Sequence, residues 1–233
     1  MIQLERLTKH YGSFVAVDDI SLDIPQGVLY GCLGPNGAGK TTTLRMIAGI
    51  LRPTNGRVLL GGDDVHANPI PAKMRLGFIP DRPFVYDKLT GVEFLRFVAA
   101  LYGQEGDAVE RRVAELLDVF ELTSWKDELV EAYSHGMRQK LIISSALIHR
   151  PQCIVVDEPM VGLDPKAARL LKDIFRQFVE RNGTVLMSTH TLEVAEAMCD
   201  RVAELFLKLT GGAQVRDLVE VLGGGNNEGG RAA

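Results

Sequence analysis

An uncharged apolar run at residues 28–33, VLYGCL, ends directly in GPNGAGKT at residues 34–41, and a helical pattern follows through Leu44, Ile47 and Ala48. A continuous apolar run reads as a strand buried on both faces, so strand, glycine loop and helix in that order predict a parallel α/β core. Gly34, Gly39, Lys40 and Thr41 fit G-x-x-x-x-G-K-[ST], in the context that the motif needs. Glycines let the backbone curl until its N–H groups and the helix N-terminus converge on phosphate oxygens. Lys40 then reaches the β and γ phosphates and the Thr41 hydroxyl can ligate Mg²⁺. Pro35, Asn36, Gly37, Ala38 and Thr42 complete a cradle sized for a nucleoside triphosphate.

Two more apolar runs, at 153–156 and 185–187, each end in polar residues. Buried parallel strands look this way when their carboxyl ends carry a site. The first delivers Asp157 and Glu158. Asp157 is the natural metal partner, directly or through water, and Glu158 is free to polarise an attacking water. The second run leads to His190, which from a neighbouring strand end could reach both the γ-phosphate and Glu158.

Alternation of Ile20, Leu22 and Ile24 with Ser21 and Asp23 predicts a half-buried antiparallel strand before the loop. Residues 87–150 turn mostly helical, with Phe94, Phe97, Val98 and Leu101 on one face and then Val113, Leu116, Leu117 and Phe120. The expectation is an α/β P-loop NTPase (RecA-like) core, 1–86 and 151–212, with an antiparallel β subdomain at its N-terminus and a helical subdomain, 87–150, inserted. A C-terminal helix and glycine-rich disordered tail are expected over 213–233. At 233 residues one such domain is the natural size. The 26 Lys+Arg against 30 Asp+Glu leave no basic field to gather nucleic acid. Apolar stretches fall well short of the roughly 18 residues of a membrane span, and the first residues lack a secretory pattern, so a cytoplasmic location is expected. Cys32, Cys153 and Cys199 are odd in number and set in apolar stretches, as buried packing thiols would be.

Taken together with LGFIPD at 76–81, YSHGMRQ at 133–139, CIVVDEP at 153–159, GLDP at 162–165 and STH at 188–190, the chain resembles the ATP-binding cassette (ABC) ATPases from residue 2 to about 212. The segment LTGVEFLRFVAALYG looks most like nucleotide-binding subunits of bacterial ABC-2 type exporters. The resemblance implies an ATP-hydrolysing subunit that dimerises on ATP, as homodimer or heterodimer, and drives a separate transmembrane permease. Membrane contact would come only through that permease, on the cytoplasmic face. It also implies that Tyr11 stacks on adenine and that Ser134 and Gly136 open a helix, 137–149, toward ATP on another subunit. Asp164 would sit at the same interface. A non-catalytic ATP-dependent clamp and an ABC ATPase not tied to transport are the alternatives.

The sequence departs from the family in three places. Tyr133, His135 and Met137 replace residues of the usual LSGGQ signature. Asp81 stands where the family places glutamine, and either ligates Mg²⁺ or is a turn residue screened by Arg82. After Asp200-Arg201-Val202 a strand pair of the family looks lost. Leu192, Ala195, Met198, Val202, Leu205, Phe206 and Leu209 recur at helical spacing, which predicts one continuous helix over 191–210. Such a loss would leave apolar surface exposed over residues 15–24.

Overall fold

The computed structural model describes residues 1–81, 84–160, 163–207 and 213–217, the stretches 204–207 and 213–217 by their backbone course. Strands β1 (Ile2–Tyr11) and β2 (Phe14–Ile24) form an antiparallel pair. Strand β3 (Leu29–Leu33) runs into the glycine loop and helix α1 (Lys40–Ile47). Strands β4 (Asn55–Leu60) and β5 (Asp63–Asp64) then complete a four-stranded sheet in the order β2-β1-β4-β5. Its inner side chains, among them Ile2, Leu7, Val17, Ile20 and Val58, pack with Leu44, Met46 and Ile47 of α1 in one core. The N-terminal sheet therefore backs the phosphate-loop helix directly.

Helix α2 (Pro69–Met74) leads to strand β6 (Leu76–Ile79), and helices α3 (Gly91–Leu101), α4 (Asp107–Val119) and α5 (His135–Leu147) follow. Helix α3 starts at a capping box, in which Thr90 Oγ1 accepts from Glu93 N–H and the Glu93 carboxylate accepts from Thr90 N–H. The chain returns to the core through strand β7 (Cys153–Val156), helix α6 (Pro165–Glu180), strand β8 (Thr184–Thr189) and helix α7 (Leu192–Met198). Strands β9 (Arg201–Leu207) and β10 (Ala213–Asp217) close a second sheet of order β10-β9-β3-β8-β7-β6, parallel throughout except for β10. Alternation in its buried strands divides the core. Cys153, Val155 and Leu186 face the N-terminal sheet, while Ile154, Val156, Val185 and Met187 face the helical layer with Leu141, Phe120 and Phe175.

The continuous helix expected over 191–210 does not form. Helix α7 stops at Met198, Cys199 is extended (φ −87°, ψ 146°), and 201–207 is strand. The expected loss of a strand pair is overturned with it, since β9 and β10 pair antiparallel from Ala213↔Leu207 to Asp217↔Ala203. Helical spacing was outweighed by the free edge of β3. Unpaired backbone on a strand buried on both faces costs more than a change of periodicity gains. Asp200 makes the switch: its N–H donates to the Leu29 carbonyl (2.8 Å), its Oδ2 accepts from Leu29 N–H (2.8 Å) and its Oδ1 takes Arg176 (2.5 Å). From there Arg201 to Glu204 pair in parallel with Tyr30 to Leu33. Strand β10 lies beside β2, and Ala16, Val17, Ile20 and Ile24 are buried, so the exposure expected over 15–24 is absent there. The helix expected from residue 213 is likewise replaced by strand over 213–217, and the tail after it lies outside the described residues. Burial pushes all three thiols, Cys32, Cys153 and Cys199, up to about 12, so they pack rather than react.

One joint ties the inserted helices to the core. His149 follows α5, is 6% exposed, stacks on Tyr102 with ring centroids 3.7 Å apart, and sets Nε2 3.0 Å from the Leu76 carbonyl. Burial pulls its pKa down to about 4. The unfolded chain, with an ordinary histidine near 6.5, binds the proton more readily. The contribution is therefore whole above about pH 6.5 and falls away as the pH drops toward 4, by up to roughly 1.4 kcal/mol per unit. Urea titrations across that range should show a shallower acid loss for His149→Gln than for the parent chain. Separately, Asp200→Ala removes a carboxylate bonded to Leu29 N–H and Arg176, and should lower unfolding free energy by about 2 kcal/mol; an unchanged urea midpoint would contradict the role given to Asp200.

Candidate functional site

Strands β3, β8 and β7 are neighbours in the sheet, and their carboxyl ends bring three chain-distant motifs together. After β3 the loop of residues 34–39 turns tightly, with Gly37 at φ 84° and Gly39 at φ 87°. A Cβ on Gly39 would also stand 2.5 Å from the Ala16 carbonyl oxygen. Both the handedness and the approach of β2 demand glycine there. Gly34 N–H donates to the Thr189 carbonyl (3.3 Å), fastening the loop to the end of β8. Lys40 is only 6% exposed, and its Nζ donates to the carbonyls of Gly34 (2.5 Å) and Pro35 (3.1 Å).

At the end of β7, Asp157 is buried and Glu158 half-buried. Glu158 takes φ 49°, a left-handed conformation uncommon for a residue with a side chain. One of its carboxylate oxygens is 3.8 Å from Lys40 Nζ and the other 3.0 Å from His190 Nδ1. The structure thus joins Lys40, Glu158 and His190 from three strand ends. Ser188, in the penultimate position of β8, is fully buried; its hydroxyl donates to Asp157 Oδ1 (2.5 Å) and accepts from Glu158 N–H (2.9 Å). Sequence reasoning did not single it out, although a polar residue closing a buried apolar strand was the available signal.

Beside the loop lies a cavity of about 340 Å³, lined by residues 36–42 together with Tyr11, Phe14, Asp81 and Glu158. Tyr11 is half exposed and has Lys9 Nζ 5.3 Å from its ring centroid. Phe14, across the β1–β2 turn, is a second exposed aromatic on that wall. Asp81 lies 3.8 Å from the Arg45 guanidinium of α1, and Arg82 lies outside the described residues.

Ser134, Gly136 and Asp164 do not line this cavity. Ser134 is the N-cap of α5, its hydroxyl accepting from Met137 N–H (3.3 Å). The helix begins at His135, two residues before the expected start. Asp164 caps α6, its carboxylate accepting from Ala167 N–H (2.9 Å), and this bond holds its pKa below the usual value. Tyr133 is buried and donates to the Trp125 carbonyl (2.8 Å), directly over Gly91, where a Cβ would collide with its hydroxyl. That departure from the family signature is thus a packing choice. A Cβ on Gly136 would meet nothing within 4 Å.

Residues 17–161 match the ABC transporter family, and the chain belongs to it. It is 39% identical over 202 residues to the daunorubicin/doxorubicin resistance ATP-binding protein DrrA of Streptomyces peucetius, covering 87% of this chain and 61% of that one. It is 35% identical over 202 residues to the linearmycin resistance ATP-binding protein LnrL of Bacillus subtilis, covering 87% and 65%. The chain therefore spans less than two thirds of the length of either relative. With the ABC transporter ATP-binding protein NatA of Bacillus subtilis the identity is 38% over 188 residues, covering 80% of this chain and 76% of that one. A solved ATP binding subunit of an ABC transporter superposes with a TM-score of 0.85 at 30% identity, over 94% of this chain and 90% of that one.

Proposed function

We propose that this chain binds and hydrolyses ATP as the nucleotide-binding subunit of an ABC exporter. The observation that carries the reading is the meeting of Lys40, Glu158 and His190 at adjacent strand ends beside a glycine loop. Backbone N–H groups of the glycine loop and the N-terminus of α1 face the phosphates. Lys40 exchanges the Gly34 and Pro35 carbonyls for β and γ oxygens, which are anionic and so hold it more strongly. Tyr11 offers its ring to adenine, a stacking worth about 1–3 kcal/mol on the scale of nucleic-acid bases. Glu158 orients a water for attack on the γ-phosphate, and His190 holds the Glu158 carboxylate and faces the same phosphate.

The residues present suit Mg²⁺. Asp157 is buried with a neutral hydroxyl as its bonded partner and no ion pair among the described residues, an arrangement that a cation would complete. Thr41 and Asp157 would hold the ion as hard oxygen donors, with phosphate oxygens and water filling the remaining positions. No cluster of three or more acidic, histidine or cysteine side chains able to hold a metal alone occurs among the described residues. When bound, Mg²⁺ neutralises charge developing on the phosphates. Asp81 lines the cavity but faces Arg45, so its carboxylate has two claims on it.

Ser134, Gly136 and Asp164 serve a second copy or a related subunit. Gly136 has open space before it, so nothing among the described residues requires glycine there, while a partner's phosphate approaching the α5 N-terminus would. No helix among the described residues is long and apolar enough to cross a membrane, and a permease supplies that part in the proposed assembly. The Asp81 segment and the inserted helices form its docking surface, where Phe84, Tyr86 and Phe97 cluster edge to face and exposed. The cytoplasmic side of the membrane is then the working location.

Glu158→Gln should retain ATP binding, lose turnover by at least about 10²-fold and sediment as an ATP-bound dimer. A variant that stays monomeric at saturating ATP and Mg²⁺ would count against the shared site. For Asp81→Asn, a metal role raises the Mg²⁺ concentration needed for half-maximal ATP binding; unchanged Mg²⁺ dependence assigns Asp81 to its Arg45 pair.

A further inference from the structure

We infer that Ser188 is a positioning residue that sets the metal-facing carboxylate and the water-facing carboxylate with a single hydroxyl. This rests on the ATPase reading above and adds a residue to it. The hydroxyl has one proton to give and lone pairs to receive, and both capacities are used on successive residues of the same strand end. Its proton goes to Asp157 Oδ1 at 2.5 Å, and its oxygen accepts Glu158 N–H at 2.9 Å. Ser188 has no solvent exposure and Asp157 is 2% exposed, so water cannot take over either bond.

The two bonds have separate consequences. Donation to Oδ1 fixes the rotation of the Asp157 carboxylate and leaves its second oxygen without a hydrogen bond from Ser188. Acceptance from Glu158 N–H holds the backbone at φ 49°, where a residue with a Cβ persists only if its surroundings impose it. That conformation sends the Glu158 side chain toward Lys40 at 3.8 Å and His190 at 3.0 Å. Without the hydroxyl, Glu158 N–H loses its acceptor at the point where the chain leaves β7, and the carboxylate loses its fixed aim. Groups that orient a metal-facing ligand from behind cost about 10–100-fold in metal affinity or activity when removed.

The test uses the full chain with Ser188→Ala, Ser188→Cys and Ser188→Thr, and Mn²⁺ as a paramagnetic probe of the ATP-bound site. Mn²⁺ titration of the ATP complex reads the Asp157 half without turnover. Steady-state kinetics read the Glu158 half. Ser188→Ala should bind ATP without metal as the parent does, require about 10-fold more Mn²⁺, and lose kcat by a similar factor with little change in KM for ATP. Ser188→Cys, nearly the same size with a weak donor and acceptor, should show both losses, and Ser188→Thr, which keeps the hydroxyl, should recover both. If Ser188→Ala does not fold, the Cys and Thr pair decides. Parent-like Mn²⁺ affinity and kcat in the Ala or Cys variant, or an equal loss in Thr, overturns the proposal. A parent chain that binds ATP but does not turn it over removes the ATPase reading while the Mn²⁺ comparison still judges Ser188; a parent that binds no ATP removes both.

Discussion

Everything in the site hangs on β3 being paired along both edges. Its five residues are buried, β8 takes one side and β9 the other, and the glycine loop leaves from its carboxyl end. Within the loop Ala38 N–H donates to the Pro35 carbonyl (3.2 Å), which alone gives it little stiffness. It is held instead from outside: by Thr189 at the tip of β8, by Ala16 of β2 against Gly39, and by Lys40 reaching back to Gly34 and Pro35. The parallel sheet fixes where the loop starts, and the N-terminal sheet fixes how far it can swing.

The same geometry accounts for the division of labour between layers. Groups directed at the loop come from the ends of β7 and β8, inside the rigid sheet, where rotations of a side chain are limited by neighbours on both faces. The inserted helices carry Ser134 and Gly136 at the start of α5, outside the cavity. They join the core through His149, Tyr102 and the Leu76 carbonyl, and through β6, whose Gly77 has the Ala146 carbonyl where a side chain would begin.

Much of this was legible in the sequence because it depends on local order. The run at 28–33 before GPNGAGKT, and CIVV before Asp157 and Glu158, each state a strand and what its end delivers. What could not be read are relations that only the sheet creates. Ser188 meets Asp157 and Glu158 because β8 lies next to β7, and Arg45 meets Asp81 across elements far apart in the chain. Tyr133 departs from the family signature, and only the fold sets its hydroxyl on the Trp125 carbonyl. The segment after Asp200 misled for the opposite reason. Its spacing does favour a helix, but a helix there would leave buried backbone on the open edge of β3 unpaired.

Lys40 in its carbonyl nest gives the loop a property of its own. By giving its protons to the Gly34 and Pro35 carbonyls, the ammonium braces the loop from the helix side. It also sits 3.8 Å from a Glu158 carboxylate oxygen, so the two charges partly offset each other. A ligand with several anionic oxygens competes for that lysine with the carbonyls and the carboxylate together, so the loop selects for the number and spacing of such oxygens.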